Sequence, residues 1–194
     1  MALHIKLLER HAEAIDLFGD RVHQVRAEQW GDATPCTEWT VRDLVNHLVV
    51  EQLWVPPLVQ DGATVESVGS SFDGDQLGDD PVAAWDAAAR DAHDAFRAPG
   101  ALDGTVHLSY GDSPAAHYCG QMVTDLVVHA WDLSRAIGAD ERLPDELVGY
   151  AVREVSPYAA DLAKSGLFDP PVEPPPGADV QTKFLCLLGR RPQD

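Results

Sequence analysis

Clusters of Pro, Gly and Asp cut this sequence into five stretches of helical period and leave no convincing alternating apolar–polar run between them. Such a chain can pack helices on helices but has little from which to build a sheet. The clearest stretch covers residues 3–28, where Leu8, His11, Ile15, Phe18, Val22 and Val25 recur three or four apart and predict one apolar stripe. A second begins with Thr40-Val-Arg-Asp43, a capping box with Asp in the place of Glu. It puts Val41, Leu44, Val45, Leu48 and Val49 on one face, and Pro56 and Pro57 are expected to end or kink it after about Leu53.

Residues 60–80 are rich in Gly, Ser and Asp and read as a long surface loop. The third helix is predicted over 81–97, with Pro81 in its first turn and Trp85, Ala89 and Phe96 facing inward. The fourth runs from near Pro114 to a C-cap at Gly138, with Cys119, Met122, Leu126, Ala130, Leu133 and Ile137 as its stripe. The fifth spans 144–165. Between the third and fourth, the stretch from Thr105 to Tyr110 has room for one short strand. Residues 169–179, DPPVEPPPGAD, form an extended, semi-rigid tether, and 182–188 predict a short terminal helix that docks back. The expectation is an all-α bundle with an additional C-terminal helix, one domain over 1–194.

Composition narrows the partners. Fourteen Lys and Arg against thirty-two Asp and Glu leave a net charge of −18, which disfavours nucleic acid and anionic lipid surfaces. No apolar run is long enough to span a bilayer, and the charged N-terminal stretch reads as mature helix rather than a secretory signal. Cys36, Cys119 and Cys186 are odd in number and widely spaced, as expected for a reducing, cytoplasmic setting.

The chemistry rests on three residues. At about 100° per turn step, His47 falls on the border of its helix's apolar stripe, on the same edge as Glu51 and Trp54. Asp125 and His129, four apart, share a face of the fourth helix. One carboxylate and two imidazoles make the three-ligand N/N/O set of a catalytic zinc site, with a fourth position open. The D-x-x-x-H spacing also recurs by chance on helices, so hydrogen-bonded packing is the competing reading. His11 reads as a packing or cavity-lining residue, while His4, His23, His93, His107 and His117 have no partner at ligand spacing and read as surface or loop residues. Cys36 has no base at defined spacing and reads as a small buried residue rather than a nucleophile.

The block from Trp30 to His47, WGDATPCTEWTVRDLVNH, followed by QMVTDLVVHAWDL from Gln121 to Leu133, resembles the mycothiol-dependent maleylpyruvate isomerase-like branch of the DinB-like superfamily. The terminal stretch from Phe184 to Arg190 is similar to the closing segment of a subgroup without assigned function. The resemblance implies an up-down-down-up four-helix bundle and a divalent metal, typically zinc, on the positions that fall here at His47, Asp125 and His129. It also implies a low-molecular-weight thiol such as mycothiol as cosubstrate, with transfer to an electrophile or isomerisation of an activated double bond. Two departures turn the expectation away from maleylpyruvate itself: the further C-terminal domain of the characterised isomerase has no counterpart in this length, and Asp125 replaces a longer Glu.

On this reading Trp54, Trp131, His11 and Met122 wall a cofactor pocket, and Glu51 and Asp132 orient the imidazoles. The expected partners are a small thiol and an electrophile, with homodimerisation left open. A metal-dependent hydrolase and a non-catalytic metal-binding or dimerising module are the alternatives.

Overall fold

The computed structural model describes residues 2–165 and 168–192 of the chain. Residues 1, 166, 167, 193 and 194 of the expected domain lie outside that description. Four long helices make the body: α1 (Ala2–Val22), α2 (Val41–Val59), α4 (Pro81–Arg97) and α5 (Ala115–Ile137). Short α3 (Val65–Val68) lies between α2 and α4, and α6 (Asp145–Val155), α7 (Ala159–Ser165) and α8 (Val180–Leu187) follow α5. The main interfaces are α2 on α4 and α1 on α5, with α6 against the outer side of α5 and α8 on α6. This is the all-α bundle expected, with its additional C-terminal helix.

Helix α5 is the hub. From Met122 to Ser134 every residue except Asp125 is buried, as in a helix surrounded by others on all sides. Its C-terminal end is closed by Gly138, in the left-handed conformation at φ 71°, and by the Gln29 amide donating to Ile137 O at 3.0 Å.

Three local readings change in the structure. Helix α2 does not stop near Leu53 but continues through Pro56 and Pro57 to Val59. Its last turn sends Val55 and Leu58 into the core. Burying each is worth about 1.5–3 kcal/mol, comparable with the ~3 kcal/mol that a proline costs inside a helix. The stretch expected to be a fifth helix breaks around Pro157, which has no N–H to continue the ladder, giving α6 and α7. The single short strand is a two-stranded antiparallel hairpin, β1 (Thr105–Leu108) with β2 (Gly111–Pro114).

The inner face of α1 is also rotated slightly from the expected stripe: Leu7, Ala14 and Leu17 are buried, while Leu8 and Ile15 lie half-exposed. The 60–80 connection is tied down rather than free. Asn46 donates to Gly74 O and accepts from Gln76 N, Arg42 pairs with Asp75, and Leu77 is buried. Among the described residues no helix is long and apolar enough to cross a membrane.

His93, read from its spacing as a surface or loop residue, contacts His11 across the α1–α4 interface, Nδ1 to Nδ1 at 3.2 Å. One ring must donate and the other accept, so the two Nδ1 atoms share one proton. Burial, with His93 adding to it, pushes the His11 pKa down to about 3. The unfolded chain takes up this proton near the ordinary pH of about 6.5. The contribution of neutral His11 is therefore complete above that pH and is lost as pH falls toward the folded value. His11→Phe should flatten the fall in unfolding free energy between about pH 6 and 4, by up to about 1.4 kcal/mol per pH unit, in urea titrations. Parallel curves for the two proteins would count against it.

Candidate metal centre

The site forms where α2 faces α5. Its first half is delivered by the capping box at Thr40, whose hydroxyl accepts from Asp43 N at 3.2 Å while the Asp43 carboxylate accepts from Thr40 N at 2.9 Å. This sets the start of α2, and two turns later His47 sits half-buried at the helix edge. The residues before it, 32–41, fold into a tight turn closed by Thr34 N to Trp39 O and Val41 N to Asp32 O. That turn lays Trp39 against His47, ring centroids 5.0 Å apart, and carries Cys36 beneath.

Asp125 and His129 supply the other half from α5. The Nε2 of His47 lies 3.4 Å from Asp125 Oδ2, and the Nε2 of His129 lies 3.4 Å from Asp125 Oδ1. The two imidazoles meet edge-on, 5.3 Å between centroids at 77°. One ligand atom from each of the three residues falls within 4.8 Å of the others. Tetrahedral bonds of about 2.0–2.1 Å would put neighbouring ligand atoms about 3.3 Å apart, close to both separations found. The Asp125 Oδ2 atom is buried with no hydrogen-bond partner among the described residues. A carboxylate with one oxygen toward the Nε2 of each imidazole, and with its buried Oδ2 making no hydrogen bond among the described residues, is a donor set that a divalent cation fits.

Electrostatics point the same way. Burial pushes the Asp125 carboxyl up, but His129 and His47 outweigh it and hold the group well below the ordinary carboxylate range. Burial likewise disfavours a charged His129, yet Asp125, Asp132 and the Cys36 sulfur raise its pKa well above the usual imidazole value. The pocket thus favours positive charge strongly enough to overcome desolvation. Glu51 faces this cluster, and burial, then the charge of Asp125, raises its carboxyl against the opposing pull of His47 and His129. No hydrogen bond joins Glu51 to an imidazole among the described residues, so its expected orienting role has no contact to carry it.

The other ring nitrogen of His129 is held by Asp132, Nδ1 to Oδ2 at 2.9 Å. Asp132 is fully buried. Burial raises its carboxyl, but Arg190 and His129 bring it down to about 2. Cys36, Asp132 and the same His129 form a second group close enough to hold a cation. There the cation is already present: the Arg190 guanidinium donates to Asp132 Oδ2 at 2.6 Å and to Cys36 Sγ at 3.4 Å. Sequence reading left Cys36 without a base and did not single out Arg190. The structure puts the Cys36 sulfur 3.8 Å from His129 Nδ1 and 3.3 Å from Asp132 Oδ2. Only folding brings positions 36, 132 and 190 together, so no spacing could have shown it.

The four expected pocket residues disperse. His11 is with His93 and Phe96 on the α1–α4 side, Trp54 is edge-on to Phe72, and Met122 is buried in the core. Trp131 lies under Arg135 and lines a separate cavity of about 500 Å³ with Thr34, Asp169 and Arg190. No hydrogen bond, ion pair or ring contact joins any of the four to His47, Asp125 or His129 among the described residues. The rings that do reach the trio are Trp39 and Phe168, the latter stacked on His129 at 6.1 Å. His4, His23, His107 and His117, read as surface or loop residues, remain partly exposed, and each approaches one carboxylate: Asp103, Asp86, Asp112 and Glu154.

A family model of the mycothiol maleylpyruvate isomerase N-terminal domain matches residues 11–134. The chain belongs to that family. The matched span of this mycothiol-related domain contains His47, Asp125, His129 and Asp132 and ends well before Arg190. Two proteins from two strains of Mycobacterium tuberculosis, both described as uncharacterized, are each 37% identical over 144 residues, covering 72% of this chain and 72% of their own. No solved structure gives a significant match.

The geometry of α2 depends on its cap. Thr40→Ala removes the hydroxyl that satisfies Asp43 N and should lower unfolding free energy by about 1 kcal/mol, with Thr40→Ser restoring most of it in denaturant titrations. Equal loss in both variants would show that the hydroxyl is not what matters.

Proposed function

We propose that His47, Asp125 and His129 hold a divalent cation, with zinc the best match to the N/N/O donor set, and that the protein is a metal-dependent enzyme using a small thiol on an electrophile. The observation that supports it is the meeting of three ligand atoms from two facing helices, with a buried carboxylate oxygen that makes no hydrogen bond among the described residues. When bound, a divalent cation with one carboxylate and two neutral imidazoles keeps net positive charge and Lewis acidity, which favours an anionic thiolate over a neutral thiol.

The chain's own groups define the rest. Asp125 is the one position of α5 between Met122 and Ser134 that reaches solvent, so an incoming thiol approaches along the Asp125–His47 edge. Trp39 and Phe168 supply apolar walls on either side of the imidazoles. Glu51 stands one helical turn beyond His47, a further carboxylate placed to carry a proton. Membership of a mycothiol-related family favours a mycothiol-type thiol and a transferase or isomerase reaction, whereas the fold alone would not.

Two measurements test this. A cation bound only by the folded state adds stability by mass action, about 2.7 kcal/mol at a hundredfold excess over Kd. Chelation should therefore lower the Tm of the wild type but not of His129→Ala, while His107→Ala, altered at the exposed hairpin, should behave as wild type. Protein loaded with zinc should consume an electrophile only when thiol is present, and His47→Ala should abolish that turnover. Metal-replete protein that turns over no electrophile with any thiol would overturn the enzymatic reading and leave the binding site standing.

A further inference from the structure

We propose that Arg190, carried by the C-terminal segment beyond the family's matched span, is a positioning residue that fixes the ring of His129 for cation binding by locking Asp132. This rests on the metal reading above. For His129 to offer the Nε2 lone pair toward Asp125 and His47, its Nδ1 must bear the hydrogen and donate it elsewhere. The acceptor is Asp132 Oδ2, 2.9 Å away.

A carboxylate in that place is useful only if it is held. Asp132 has no exposed surface, and a buried carboxylate facing one imidazole would be poorly compensated and free to turn. Arg190 occupies both of its oxygens, Nε to Oδ1 at 3.2 Å and Nη2 to Oδ2 at 2.6 Å, a planar fork that a lysine cannot reproduce. The third nitrogen, Nη1, donates to Leu188 O at 2.8 Å, so the guanidinium itself is anchored. Cys36 adds a contact to the same Oδ2 at 3.3 Å. Phe168 completes the clamp, with Arg190 5.1 Å above its ring and His129 stacked on it at 18°. Carboxylate, guanidinium and phenyl ring together leave His129 one orientation.

The backbone is shaped to deliver this arginine. After α8 the chain turns at Gly189, at φ 80°, where a Cβ would lie 2.5 Å from Asp169 Cβ and 2.7 Å from Asp169 O. Glycine is required there by both conformation and space. Arg190 N then closes the turn on Leu185 O at 2.9 Å, Val172 N bonds Cys186 O at 2.9 Å, and Arg135 reaches Pro192 O at 2.7 Å. The segment from Phe168 to Pro192 is thus a strap, fastened at several points, whose one buried cation ends on Asp132.

The test uses Co²⁺ alone as probe, titrated into the full-length protein against a chromophoric chelator, with the visible ligand-field spectrum read at saturation. Arg190→Gln and Arg190→Lys should weaken Co²⁺ binding 10–100-fold, the range seen when partners of metal-bound histidines are changed, and shift the spectrum. Gly189→Ala should do the same from outside the cluster by displacing the strap. In an Asp132→Asn background Arg190→Gln should add little, because the arginine acts through that carboxylate. Arg190→Lys retains the buried charge and carries the test if Arg190→Gln does not fold. Wild-type affinity and an unshifted spectrum in a folded Arg190→Lys protein would overturn the positioning role while leaving the metal reading intact. A wild type that binds no Co²⁺ or Zn²⁺ would overturn both.

Discussion

Both nitrogens of one buried imidazole are spoken for, and the rest of the site follows from that. His129 presents Nε2 to Asp125 and Nδ1 to Asp132, and it can do so only because α5 is enclosed on every side. In water, contacts of this kind between a histidine and two carboxylates would be worth little. Inside the bundle, set against desolvation, these pairs, with Arg190 the largest lowering contribution at Asp132, hold both carboxyls below and the His129 imidazole above their ordinary ranges. Helix α1 on one side, α2 on the other and the terminal strap above create the low-dielectric setting in which the arrangement has consequences.

The two carboxylates divide the labour through their surroundings. Asp132 is matched by a bidentate guanidinium and has no unsatisfied oxygen, so it is a structural anion. Asp125 has no such guanidinium, touches solvent and has no hydrogen bond to its Oδ2 among the described residues, with His47 Nε2 3.4 Å from it. The same contrast separates the two clusters that share His129: one already contains its positive charge as Arg190, while the other has ligand atoms compatible with a divalent cation. Net charge of −18 over the whole chain makes the concentration of arginine at this point more telling, since few basic side chains are available to place.

The family relationship and the structure inform different parts of the molecule. The matched span, residues 11–134, holds His47, Asp125, His129 and Asp132 but not the strap whose Arg190 and Phe168 contact Asp132 and His129. In this chain the matched domain is contacted at Asp132 and His129 by sequence outside the domain match. The rings that contact the imidazoles are Trp39 from the loop before α2 and Phe168 from the strap, rather than the Trp54 and Met122 expected to wall a cofactor pocket.

Periodicity in the sequence was enough for the helices, because apolar stripes, the Thr40 capping box, Pro81 and Gly138 act locally and within a few residues. The same local logic placed Asp125 and His129 on one face and His47 at the border of its helix's apolar stripe, and the family resemblance implied that the three hold one metal. Where local rules met tertiary burial they lost: Val55 and Leu58 carry α2 past two prolines because the core accepts them. The partners of Cys36, the pairing of His11 with His93 and the reach of Arg190 to Asp132 join positions 58 to 154 residues apart. Nothing in spacing encodes such contacts. They arise when packing brings distant side chains within hydrogen-bond range and removes the water that would otherwise satisfy them.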